Sequence, residues 1–191
     1  MQQSILAVDD EIHMLRLLQR IISEKTPYAI TTTSSSVDVP SILEEHTFDL
    51  VIADLKMPVL DGLDLLRWLK EHQREEELII LTAFGSIESA VEALSLGVFD
   101  YITKPFKKEQ ILFTVERAMR WQRVRREAEE WRKIVETEPF EEALSGFRSA
   151  YVRRLVQLVS GNLPEASRRS GLPLETIEHL THPTSGNEVT P

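Results

Sequence analysis

The sequence predicts an α/β fold, a doubly wound five-stranded parallel sheet, followed by a long linker helix and a small all-α helix-turn-helix module. Three observations carry this expectation. Apolar strand-like runs alternate with helical periodicity up to about residue 115. From Gln110 to about Glu138 the chain contains neither Pro nor Gly. From Phe140 to Leu180 the segments read as helices, punctuated by Gly161 and Gly171. Strands that alternate with helices pair in parallel, because each crossover helix returns the chain to the same edge of the sheet.

The first strand is Ile5-Leu6-Ala7-Val8, and the helix after it runs from Ile12 to Glu24 with Leu15, Leu18, Ile21 and Ile22 at helical spacing. Pro27 breaks the chain before the β-branched run Tyr28–Thr32. Ser34-Ser35-Ser36 reads as the loop after it, and a helix follows to about Glu45. The third strand, Leu50–Ala53, leads through Pro58 and Gly62 into a helix carrying Leu63, Leu65, Leu66 and Leu69. A fourth strand, Leu78–Leu81, precedes a helix from Ser86 to Leu96 that Gly97 closes from the C′ position. The fifth, Tyr101–Thr103, ends at Lys104-Pro105, and the last helix of the domain starts near Lys108.

That helix is expected to outrun its domain. Ile111, Leu112, Val115, Ala118 and Met119 would pack on the sheet, whereas Trp121, Val124, Ala128, Trp131 and Val135 repeat at spacings of three, four, three and four. Such a repeat is a short heptad seam, suited to a dimeric coiled coil. In the terminal module, Phe140, Leu144, Phe147, Tyr151, Leu155 and Leu158 form an apolar stripe on one helix. Asn162 reads as the next N-cap, with Pro164 in the first turn and Glu165 completing a capping box. A short helix to Ser170, a turn at Gly171 and a helix over Leu174–Leu180 follow. The expected boundaries are therefore 1–120 for the α/β domain, 121–138 for the linker, 139–182 for the helical module and 183–191 for a disordered tail.

Composition narrows the classes of function. The 191 residues contain no cysteine, which excludes disulfides, thiolate chemistry and zinc–sulfur sites. No apolar run reaches the roughly 18 residues a membrane span needs, and Met1–Ser4 lacks the basic and apolar regions of a signal peptide, so the expected location is the cytoplasm. The net charge of −9 sits in residues 1–115, with 19 acidic and 10 basic side chains. Residues 139–191 hold 6 and 5. No block is basic enough to announce nucleic-acid binding by charge alone.

The chemistry is concentrated at the strand ends. Asp9, Asp10, Asp54, Thr82 and Lys104 each follow an apolar run, so a parallel sheet brings them to one edge, where ligands of such sheets sit. Three carboxylates gathered there repel one another and call for a hard cation. Mg²⁺ suits them, because it binds oxygen and keeps several waters. Asp54, on the central strand, is best placed as nucleophile toward a phosphoryl group. Asp9 and Asp10 would hold the metal directly or through water, while Lys104 and Thr82 would meet phosphoryl oxygens. Singly, an Asp at a strand end is an ordinary turn former; the weight lies in all five together.

The strings Val8-Asp9-Asp10-Glu11, Ala53-Asp54-Leu55-Lys56-Met57-Pro58, Asp61-Gly62, Leu81-Thr82-Ala83 and Lys104-Pro105-Phe106 closely resemble the receiver domain of two-component response regulators, a flavodoxin-like fold. The resemblance covers residue 4 to about 120. It implies that Asp54 accepts phosphoryl from a sensor histidine kinase, and that Asp10, Asp54 and the Lys56 backbone carbonyl contact Mg²⁺ directly while Asp9 acts through water. It also implies that Thr82 and Tyr101 form the conformational switch. The domain would catalyse only its own phosphorylation and dephosphorylation.

Phe140–Leu180 resembles the Fis-type helix-turn-helix of NtrC-like activators, through Gly161-Asn162, Ala166-Ser167-Arg168 and Ser170-Gly171-Leu172. Ala83-Phe84-Gly85-Ser86-Ile87-Glu88-Ser89-Ala90 is also NtrC-like, yet no G-x-x-x-x-G-K-[ST] occurs and the ATPase domain of those activators is missing. The final helix departs from its family. Leu174–His182 carries Glu175 and Glu178 but no Arg or Lys, so the module reads as degenerate. Arg168, Arg169 and Thr176 are candidate DNA contacts, with Arg148, Arg153 and Arg154 further off. Two functions follow: a phosphorylation-controlled, dimeric regulator of transcription, with residues 121–160 forming the dimer, or a phosphorylation-dependent dimerisation or protein-interaction adaptor whose helix-turn-helix no longer binds DNA.

Overall fold

The computed structural model describes residues 3–83, 85–137 and 139–181. The expected tail 183–191, His182 and Phe84 lie outside the described residues. The chain divides into two compact units, Met1–Arg126 and Glu127–Pro191.

The first unit is a five-stranded parallel sheet with strand order β2-β1-β3-β4-β5. The strands are β1 Ser4–Val8, β2 Ala29–Thr33, β3 Leu50–Asp54, β4 Glu77–Thr82 and β5 Asp100–Thr103. Between them lie α1 Ile12–Lys25, α2 Val39–Glu45 (entered through a 3-10 turn over Ser36–Asp38), α3 Gly62–Glu71 and α4 Ile87–Ser95. Helix α5 spans Lys108–Thr137. The fold is the one expected, and the element boundaries differ by one or two residues.

The three inner strands, β1, β3 and β4, are apolar on both faces because helices cover both. Side-chain alternation sends Ile5, Ala7, Leu50, Ile52, Ile79, Leu81 and Ile102 toward α1 and α5, where they pack with Leu18, Ile22, Ile111 and Val115. Leu6, Val8, Val51, Ala53 and Ile80 face the other way, against Leu43, Leu65, Leu66 and Leu69. The inner strands are thus an apolar partition with their polar groups at the strand ends.

In the second unit, α6 Phe140–Leu158, α7 Leu163–Ser170 and α8 Leu174–Thr181 close on Val152, Leu155, Ala166 and Ile177. Asn162 caps α7, accepting the Glu165 amide at 3.1 Å, and Gly171 at φ +71° ends it in the left-handed conformation that favours glycine. The capping box is only half made. The Asn162 amide donates to Val159 O, and the Glu165 carboxylate binds Arg168 and Arg169 instead.

The apolar stripe read on α6 lies mostly outside the core of its module. Of its six residues only Leu155 is buried; Phe140, Leu144, Phe147, Tyr151 and Leu158 are exposed. Helix α6 carries two apolar faces, and the one holding Val152 and Leu155 takes α7 and α8. The other is covered in part by Trp131, whose ring lies 5.9 Å from that of Phe147. Trp121, Val124, Trp131 and Val135 of the heptad pattern are at least half exposed. Among the described residues no helix is long and apolar enough to cross a membrane.

Candidate functional site

Asp54 is the last residue of the central strand β3, and Thr82 ends its neighbour β4. Asp9 follows β1 directly and Lys104 follows β5. Parallel pairing therefore places these four at one edge, and Asp9, Asp54 and Thr82 are almost wholly buried there. Lys104 Nζ donates to Asp9 Oδ2 at 2.7 Å and to Asp54 Oδ1 at 2.6 Å. The remaining oxygens are also held, Asp9 Oδ1 by the Glu11 amide at 2.9 Å and Asp54 Oδ2 by the Lys56 amide at 2.6 Å.

Asp10 behaves differently. It is exposed, and among the described residues no ion pair holds it. Among the described residues no three acidic or histidine side chains converge as a ready metal cage. The three carboxylates expected at one point are two buried ones joined by an ammonium and one at the rim. By donor type the Asp10 carboxylate, the Asp54 carboxylate and the Lys56 carbonyl are hard oxygen ligands, the chemistry that suits Mg²⁺.

Electrostatics distinguish the members. Burial pushes the Asp9 carboxyl above its ordinary value; the Lys104 and Glu11 hydrogen bonds pull it back without cancelling the rise, and the Asp54 charge adds to it. Burial acts on Lys104 in the opposite sense, but its hydrogen bonds with Asp54 and Asp9 outweigh it and hold the ammonium above the usual lysine value. The two shifts pull apart across one ion pair. Lys104 has two carboxylate partners and stays charged, whereas Asp9 must share that cation.

Local sequence builds the pocket. Asp61 caps α3, accepting from the Leu63 and Asp64 amides at 2.9 and 2.8 Å, and Asp64 returns the contact to complete a capping box. Gly62 lies so close to β3 that a Cβ would meet the Asp54 carbonyl oxygen at 2.7 Å. The Asp61-Gly62 pair thus seats α3 against the strand that carries Asp54. Gly85 is constrained more mildly, since a Cβ there would lie 3.2 Å from both Thr82 Cγ2 and the Tyr101 hydroxyl. Tyr101, half-buried in β5, meets Ser89 Oγ at 3.0 Å. Ser89 also receives the Ser86 amide within the α4 cap, so the tyrosine ring is tied to the first turn of α4. Sequence reasoning missed Ser89. Its signal was the Ser86-x-x-Ser89 spacing at the start of that helix.

In the second unit, Arg168 pairs with Glu165, and Arg169 Nε reaches Glu165 Oε1 at 2.9 Å. The hydrogen bond from Arg169 and the charge of Arg168 hold the Glu165 carboxyl below its usual value. Thr176 lies elsewhere, in a crevice of about 420 Å³ between α6 and α8 shared with Ser145, Arg148, Glu175 and His179. The candidate contacts therefore fall in two places.

Residues 5–116 match the family model described as the response regulator receiver domain. The chain is similar to the transcriptional regulatory protein GlrR of Escherichia coli, at 37% identity over 70% of this chain and 30% of that protein. It is also similar to the transcriptional regulatory protein ZraR of Salmonella typhimurium, at 35% identity over 60% of this chain and 26% of that one. The match spans under a third of each of these relatives. Among solved structures, a response regulator receiver domain from Clostridium thermocellum superposes with a TM-score of 0.60 at 31% identity, covering 64% of this chain and 98% of its own. NtrX from Brucella abortus gives a TM-score of 0.62 at 30% identity, over 69% and 30% of the two chains. With the expected strand order, the Asp9–Lys104–Asp54 network and this match over residues 5–116, the chain belongs to the response regulator receiver domain family.

Proposed function

We propose that this protein is the cytoplasmic response regulator of a two-component phosphorelay, with Asp54 as phosphoacceptor. The observation that carries the reading is the single Lys104 ammonium shared by Asp9 and Asp54. An Asp54 carboxylate oxygen attacks the phosphorus of a kinase phosphohistidine. A P–O bond forms, the P–N bond breaks, and its electron pair returns to the imidazole. Asp10, Asp54 and the Lys56 carbonyl would hold Mg²⁺, with Asp9 acting through water. When bound, that ion offsets the charge of the phosphoryl oxygens. Lys104 passes from Asp54 to a phosphoryl oxygen, and Thr82 donates its hydroxyl to another. Tyr101 then exchanges its Ser89 contact for an inward position, completing the switch.

The output of this reading is a homodimer through residues 121–160 that presents the terminal helices to duplex DNA. Its support is the apolar stripe Phe140, Leu144, Phe147, Tyr151 and Leu158, left exposed on the single chain. A second reading, an adaptor that binds a protein rather than DNA, is favoured by one observation. Glu165 already neutralises both arginines offered as phosphate contacts. The deciding test of the receiver reading is labelling by acetyl phosphate with Mg²⁺. Asp54→Asn is expected to abolish the acid-stable, base-labile label, and a fully labelled variant would refute the assignment.

A further inference from the structure

A second polar cluster lies at the opposite end of the same strands. Gln122, on α5 beyond the last sheet-covering residues, is completely buried. Its Nε2 donates to the carbonyl of Asp49 at 3.0 Å and to that of Glu75. Arg125 Nη1 reaches Glu77 Oε1 at 2.9 Å and Arg125 Nη2 also donates to Glu75 O. Arg126 Nη1 meets Asp49 Oδ1 at 2.5 Å, and the buried Asp49 carboxylate accepts the Ser4 amide at 2.8 Å. Asp49 immediately precedes β3 and Glu75 lies just before β4. These are the two strands that end in Asp54 and Thr82.

We propose that Gln122, Arg125 and Arg126 form a latch that couples α5, as it leaves the receiver, to β3 and β4, and that phosphorylation at Asp54 resets it. The proposal rests on the receiver reading for its trigger but on this cluster for its mechanism. A strand packed on both faces moves as a unit, so a shift at its chemical end is carried to its leading end. The latch is also poised for change. Gln122 Oε1 is buried with no partner among the described residues. A buried acceptor without a partner offsets much of what two donated bonds contribute. The contact therefore holds the helix without locking it. Because Trp121 and Val124 flank Gln122, the latch also sets which side of α5 presents the heptad seam.

The test is hydrogen exchange by mass spectrometry on the full chain, with and without acetyl phosphate and Mg²⁺, for wild type, Gln122→Ala and Arg126→Ala. In wild type, phosphorylation is expected to change exchange in peptides spanning 119–127 together with those spanning 46–50 and 74–78. In each variant the 119–127 peptides should exchange faster, up to about tenfold per lost hydrogen bond, and lose their response while Asp54 still takes label. Wild-type exchange rates in both variants, or an undiminished phosphorylation response in them, would overturn the latch. The mass shift of Asp54 is read in the same samples. Its absence from wild type would count against the receiver reading, and the variants' exchange rates without phosphodonor would still decide whether the latch holds the helix.

Discussion

Lys104 and Asp54 stand fifty residues apart in sequence and are joined by a 2.6 Å hydrogen bond, with Asp9 completing the bridge on the same ammonium. Removing the cation leaves two buried carboxylates facing each other. Lys104→Met is expected to lower stability by roughly 3 kcal/mol, the scale seen when one partner of a buried pair is deleted. Mg²⁺ should restore more stability to the variant than to wild type, because it replaces the missing charge. Urea unfolding with and without MgCl₂ measures this, and equal Mg²⁺ gains in the two proteins would contradict it.

The raised Lys104 value makes a second prediction at alkaline pH. A lysine held above its unfolded value contributes stability that is complete below about pH 10.5 and is lost as pH climbs through the folded value. Wild type should therefore lose stability through the lysine range more steeply than Lys104→Met. Parallel pH profiles of the urea midpoint would exclude the effect.

Asp9 carries the opposite consequence. Its folded-state value is raised, so its contribution is favourable only below the unfolded value of 3.8 and is lost as pH rises through the folded one. At neutral pH the ionised side chain is a cost that the site retains for its chemistry. Asp9→Asn is expected to raise the melting temperature by a few degrees at pH 7 while weakening Mg²⁺-dependent labelling. A lower melting temperature would show that Lys104 compensates Asp9 in full.

Val59 is a β-branched residue at φ +70° on the loop between Asp54 and α3, and it is 85% exposed. The left-handed region costs such a residue about 1–2 kcal/mol, and asparagine tolerates it far better. Val59→Asn should therefore stabilise the chain by about 1 kcal/mol, with no buried apolar area lost. Thermal unfolding of the two proteins is the check, and an unchanged midpoint would mean the loop relaxes at no cost.

The two output readings separate at Glu165. Glu165→Gln frees Arg168 and Arg169, so if the module binds DNA through them, affinity rises and the salt dependence steepens by about two phosphate contacts, a slope change near −2 in log–log form. Fluorescence anisotropy on a duplex across a salt series reads both. No binding by either protein at low salt would favour the adaptor.

Most of the receiver was legible in the sequence because strand ends are marked by where apolar runs stop, and Asp54, Thr82 and Lys104 sit at those stops. Only the family resemblance separated Asp10 from Asp9, since adjacency in sequence does not say which carboxylate turns inward after the strand. The core face of α6 was not legible for a related reason. Two apolar faces share that helix, and periodicity alone cannot tell which one meets α7 and α8. Gln122 was invisible, a polar residue between Trp121 and Val124 on a charged helix, buried only because two backbone carbonyls at the bottom of the sheet accept its amide.

Strand β3 has a property that its apolar interior conceals. Leu50, Val51, Ile52 and Ala53 are buried on both faces, so sliding the strand by one residue would expose no oil to water. Hydrophobicity therefore does not tell the strand where to stop. Two buried aspartates do, Asp49 at its start and Asp54 at its end, each held by partners that cannot follow a slip. The strand is a ruler with a polar stop at each end. A one-residue insertion or deletion within it would leave at most one stop seated, so this segment should accept substitutions far more readily than any change of length.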